Sequence, residues 1–178
     1  MDAMELITQG LGALGIIAGI ISFQCKKHKW ILFFRTLNEF LFGVQYLLLG
    51  AYTGMMLNFI GCVRNIIFSN NVAKNRKNTV AMLIFSGIFV LFGILTWAGP
   101  KSILIIVAKV LSSLAYGNKN TTVVRTVVLI TSSCWLIYNS FVGSYAGILC
   151  EVFTLGSLIL GIIRLDLIPF FQKKKKEK

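Results

Sequence analysis

"GAYTGMMLN" (residues 50–58) and "GSYAGILCE" (residues 143–151) share the frame Gly-x-Tyr-x-Gly, with the second copy ninety-three positions after the first. Both stand between long apolar runs, and both lead to a polar side chain at the same offset, Asn58 in one and Glu151 in the other. A Gly-flanked stretch between two apolar runs reads as a tight hairpin, so the chain writes one hairpin twice. Arg35-Thr36 and Arg125-Thr126, ninety positions apart, open the run before each hairpin and extend the likeness to a three-run unit.

The apolar runs cover residues 6–23, 30–50, 52–68, 79–97, 101–116, 123–142 and 145–165, close to the roughly 17 to 25 residues that cross a bilayer. Hydrophobic residues make up 56% of the 178 and charged residues 13%, too little polar surface for a globule in water. Lipid cannot satisfy free backbone groups, and runs this long are not barrel strands, so the spans are helices. The expected fold is an all-α membrane protein of seven transmembrane helices, two parallel three-helix bundles joined by a linker helix. The first bundle would occupy 1–72, the linker 73–100, the second bundle 101–168, and a basic tail 169–178.

Lys and Arg crowd into "CKKHKW", "AKNRKN", "NKNTTVVR" and "QKKKKEK", while the alternate turns carry only Lys101. This places the amino terminus outside and the tail in the cytosol of a multi-pass inner-membrane protein. Asp2 and Glu5 precede the first run, where a secretory signal would be basic, so the first helix is expected to be retained. The net charge of +12 is mostly this asymmetry. A basic tail beside a membrane reads as contact with anionic lipid headgroups, not nucleic acid.

Cys25, Cys62, Cys134 and Cys150 lack ligand or disulfide spacing and read as free thiols. His28, in a basic loop, reads as solvated, and neither metal nor cofactor is expected. "GLGALG" (residues 10–15) matches a dinucleotide fingerprint but follows no strand, and Gly15 with Gly19 reads instead as a face for close helix packing. H-E-x-x-H, a Ser with a buried His, and a carboxylate cluster are all missing, which argues against an enzyme.

"LFGVQYLLLGAYTGMMLNFIGCVRNII", "CWLIYNSFVGSYAGILCEVF" and the following "GIIRL" resemble the corresponding segments of the YgjV family of bacterial inner-membrane proteins. That family in turn looks like part of the superfamily of SWEET, PnuC and PQ-loop transporters and the KDEL receptor. The resemblance implies three-helix bundles side by side around a central path. The only prolines are Pro100 and Pro169, so the Pro-Gln pair of many such proteins is missing. Gly12, Gly15, Gly19 and Gly43 are the candidate hinges in its place.

Two helices joined at a turn between Ala51 and Tyr52 bring residues of equal depth together, pairing Gln45 with Asn58 and Glu39 with Arg64. Glu39 can also reach Arg35 one turn away. The shift of ninety-three turns the first pair into Tyr138 and Glu151, about 9 to 10 Å from the turn at 1.5 Å per residue. Lys109 lies about 13 Å deep on the fifth helix. The first and third helices of the resembled bundles are neighbours, so Glu151 is its expected partner. Asn58, Glu151, Gln45, Tyr138, Asn139 and Trp135 are the candidate solute-binding residues, and Glu39, Arg64 and Lys109 the candidate structural charges. Trp135 could offer a stacking wall for a ring, while Trp30 and Trp97 read as interfacial anchors. The leading function is transport of a small polar solute such as a sugar, nucleoside or vitamin by alternating access. The alternative is a receptor or scaffold that binds a ligand or partner protein, and a homo-oligomer stays open in either case.

Overall fold

The computed structural model of the protein describes residues 3–24, 28–116 and 121–163. They form seven helices, α1 (Ala3–Gln24), α2 (His28–Leu48), α3 (Tyr52–Ala73), α4 (Thr79–Leu95), α5 (Lys101–Tyr116), α6 (Thr121–Val142) and α7 (Tyr145–Ile162). Cys25, the basic tail and the side chains of His28 and Arg125 lie outside what is described.

The repeated hairpin closes the same way twice. Gly50 and Gly143 take φ of 66° and 72°, left-handed values that glycine adopts without strain. Beyond them Ala51 N–H bonds Tyr46 C=O at 2.8 Å, and Ser144 N–H bonds Asn139 C=O at 3.1 Å. This six-residue closure satisfies a carbonyl that the helix end leaves open. The third apolar run ends at residue 68, but α3 continues past Phe68 through the polar turn Ser69–Asn70–Asn71. It stops only where Asn75 turns left-handed at φ 54°. Asn71 Nδ2 then donates to Asn78 Oδ1 across the loop at 3.0 Å.

The helices pack in a circuit. α1 lies on α2, α2 on α3, α3 on α5, α5 on α6, α6 on α7, and α7 back on α1, while α4 lies against α3 and α5. Each outer helix of a trio therefore packs on its middle helix, which separates α5 from α7 by α6. Gly15 and Gly19 let α2 approach α1, since a Cβ would meet Phe42 at 2.9 Å or Asn38 at 3.2 Å.

Polarity runs opposite to that of a protein in water. Arg64, Gln45, Asn139, Lys109, Glu39 and Asn58 are buried, while Leu14, Ile17, Val63, Leu83, Ile94, Phe141 and Phe153 are more than half exposed. Apolar side chains turned outward fit a lipid surround, and polar ones turned inward avoid it. Trp30 and Trp97, both 49% exposed, stand near opposite ends of the bundle.

Candidate functional site

Helical periodicity builds the site from one polar stripe per helix. Arg35, Asn38, Glu39, Phe42 and Tyr46 recur three or four apart on α2, Thr131, Ser132, Trp135 and Asn139 on α6, and Gly147, Cys150, Glu151 and Thr154 on α7. Asn58 and Arg64 from α3 and Lys109 and Ser112 from α5 complete a cavity of about 70 Å³.

At the hairpin end the cavity is roofed. Tyr46 Oη donates to Asn139 Oδ1 at 2.5 Å, and the Trp135 ring stacks on Tyr46 with centroids 5.9 Å apart. Tyr138 Oη accepts from Gly54 N–H at 3.2 Å. Beyond this roof Ser144 Oγ donates to Gln45 Oε1 at 3.0 Å and Gln45 Nε2 to Gln9 Oε1 at 3.2 Å. Gln9 also bonds the second hairpin, donating to Gly143 C=O at 3.2 Å and accepting from Ala146 N–H at 3.3 Å. On the other side Thr53 Oγ1 donates to the Thr96 carbonyl and lies 3.3 Å from Ser102 Oγ.

One wall is a cluster of charges. Arg64 Nη2 lies 2.9 Å from Glu39 Oε1, and Lys109 Nζ lies 3.2 Å from Glu39 Oε2. Arg64 also donates to Asn65 Oδ1 at 2.9 Å and to Ser113 Oγ at 3.2 Å, and Lys109 donates to Asn58 Oδ1 at 3.2 Å. Phe89 of α4 carries both cations over its ring, Arg64 Cζ at 5.6 Å and Lys109 Nζ at 6.0 Å. The cluster fits because residue 61 is glycine: a Cβ there would collide with the Glu39 carboxylate and stand 2.9 Å from Lys109 Nζ. The facing wall holds Glu151, whose carboxylate takes a hydrogen bond from Ser132.

The geometry corrects several expectations. Gln45 and Asn58 do not bond: Gln45 turns to Gln9 and Ser144, while Asn58 Nδ2 donates to Gly54 C=O at 2.9 Å and its oxygen accepts from Lys109. Equal depth is not equal azimuth, since the six residues from Glu39 to Gln45 make about one and two-thirds turns. Lys109 pairs with Glu39 and not with Glu151, because α6 stands between α5 and α7. Tyr138 reaches α3, and neither it nor Gln45 lines the cavity, which Asn58, Glu151, Asn139 and Trp135 do. Trp135 is no free stacking wall, since its ring meets Tyr46, the edge-on Tyr138 at 5.7 Å and Lys109 Nζ at 5.4 Å. Sequence reasoning missed Tyr46, Asn38, Thr131 and Ser132, although Tyr46 stands seven residues, two turns, after Glu39, Asn38 three residues after Arg35, and Thr131 and Ser132 four and three residues before Trp135. Among the described residues no three His, Cys, Asp or Glu side chains gather as metal ligands.

A family model described as "Bacterial inner membrane protein" matches residues 6–168. The chain belongs to the YgjV family. Inner membrane protein YgjV of Escherichia coli (strain K12) is 23% identical over 170 residues, covering 96% of this chain and 87% of the relative. No solved structure matches the chain. Membership of the YgjV family makes this a bacterial inner-membrane protein, and a helical chain with an apolar exterior is what a multi-pass protein of that membrane requires.

Proposed function

We propose that this YgjV-family protein carries a small polar solute across the inner membrane by alternating exposure of the cavity between two three-helix units, α1–α3 and α5–α7. The observation that carries the reading is the way the roof is sealed. Ser102 against Thr53 and Gln9 against Ala146 bring the same two positions of the repeat together, hydroxyl to hydroxyl in the first and backbone N–H to side-chain oxygen in the second, each residue of the first pair differing by the shift of ninety-three from its counterpart in the second. A duplicated unit with polar groups at mid-membrane meets the needs of a solute path, since polar groups there replace lost hydration. The exposed Lys74, Arg76 and Lys77 follow α3, and Lys101 stands at the opposite end. Their asymmetry supports cytosolic loops at the α3–α4 side and an outward-facing roof. The solute would then meet this conformation from the cytosolic side.

Purified protein in proteoliposomes, offered a panel of labelled metabolites, tests the proposal. Accumulation above protein-free vesicles that is lost with Asn58→Ala is the expected result, and a panel of sugars, amino acids, vitamins and nucleosides that all fail to accumulate would sink it. A second reading, a receptor or scaffold, has one observation in its favour. The Glu39, Arg64 and Lys109 cluster fastens α2 and α3 to α5 across the two units.

A further inference from the structure

The cavity holds opposite charges on facing walls that do not pair with each other. The Lys109 ammonium has three N–H donors, of which one goes to Asn58, while its nitrogen lies 3.2 Å from Glu39 Oε2 as an ion pair without a formed hydrogen bond. It also shares Glu39 with Arg64. Across the cavity, the Glu151 carboxylate has the Ser132 hydroxyl as hydrogen-bond partner, and no Lys or Arg nitrogen among the described residues forms an ion pair with it within 4.0 Å. Arg35 and Lys109 act on it only at longer range. A carboxylate at this depth is costly to hold without a matched cation.

From these facing charges we infer that the solute is a small zwitterion, an amino acid the size of glycine or alanine, whose ammonium pairs with Glu151 and whose carboxylate meets Lys109. The inference rests on the solute-path reading of the same cavity and names its cargo class. A zwitterion completes both half-matched groups and adds no net charge to a membrane interior. The volume of about 70 Å³ is several times the least that admits one water, room for a few heavy atoms and no ring. Trp135 already stacks on Tyr46, which disfavours a nucleoside.

The purified protein is melted with glycine, alanine, acetate, methylammonium, glycerol or glucose. Glycine and alanine are expected to raise the melting temperature by about 2 to 4 °C or more at saturation, and the one-charge and neutral compounds by less than half as much. Glu151→Gln should weaken the glycine response about tenfold, and Ser132→Ala, which removes only the carboxylate's hydrogen-bond partner, by a smaller factor. Glu151→Asp, which keeps the charge, should retain it, and serves with Ser132→Ala if Glu151→Gln fails to fold. An equal shift with glycerol or glucose, an unchanged glycine response in Glu151→Gln, or no shift with either amino acid overturns the assignment. Glycine stabilisation without glycine uptake in proteoliposomes would sustain this assignment while sinking the transport reading. Sugar uptake with no amino-acid response would do the reverse.

Discussion

The two seams between the helix trios, α3 against α5 and α1 against α7, match at the hairpin end and part company below it. At the top each seam is closed by the same pair of positions, Thr53 with Ser102 and Ala146 with Gln9. Deeper down, the α3/α5 seam is tied by Lys109 to Asn58 at 3.2 Å and Arg64 to Ser113 at 3.2 Å, with α4 laid along it. The positions that the shift of ninety-three assigns to Lys109 and Ser113 on α1 are Ile16 and Ile20, and Asn58 becomes Glu151. Ile16 and Ile20 cannot return those bonds. Below the roof, one seam is thus an edge fastened by buried polar bonds and the other an edge without their counterparts at Ile16 and Ile20, and on the solute-path reading motion that opens the cavity should divide along α1/α7.

The largest effect should come from removing the anion of the fastened edge. Glu39→Gln leaves two cations buried on one another and should cost about 3 to 5 kcal/mol in a reversible unfolding measurement. Because the expected pair is a triad, adding Arg64→Met still strands Lys109, and only a triple change with Lys109→Met should recover most of the loss. A Glu39→Gln protein as stable as the parent would mean that this edge is not held by charge.

Gly61→Ala comes next, at about 1 to 3 kcal/mol, because the new methyl needs the space of the Glu39 carboxylate. The corresponding position on α7 is Thr154, where Thr154→Ala should cost clearly less. Equal losses would erase the contrast between the edges.

Gln9→Ala should cost about 1 to 2 kcal/mol and act mainly on access. In a background with the other cysteines replaced, cavity-lining Cys150 should react faster with an impermeant thiol reagent added at the hairpin side. Ser102→Ala should leave that rate unchanged. Faster labelling with Ser102→Ala alone would place the opening at the other seam. The smallest effect expected is that of Tyr46→Phe, which loses its bond to Asn139 and about 1 kcal/mol of melting stability.

Much of this architecture can be read from the chain because the membrane imposes it. Run length marked all seven helices, and the runs at 101–116 and 52–68 begin where α5 and α3 begin. Where side chains are polar but the backbone stays helical, as at Ser69 to Asn71, hydropathy ends too soon. Depth arithmetic finds Glu39 with Arg64 because those faces meet, and misplaces Gln45 because depth says nothing of rotation. Lys109 was beyond reach, since its partner depends on which helices are neighbours, a tertiary fact that no local spacing holds.

The placement of the triad also orders events during synthesis. Glu39 and Arg64 stand on the two legs of one hairpin, α2 and α3, so each can neutralise the other as that hairpin leaves the insertion machinery. Lys109 arrives forty-five residues after Arg64, when the carboxylate it needs is already in the bilayer, and its own hairpin of α5 and α6 brings no acidic residue. The amino-terminal hairpin is therefore the template onto which the later helices assemble. A nascent chain stopped before α3 would leave Glu39 only Arg35, one turn away on α2, in place of Arg64 and Lys109, an interval that quality-control proteases could recognise.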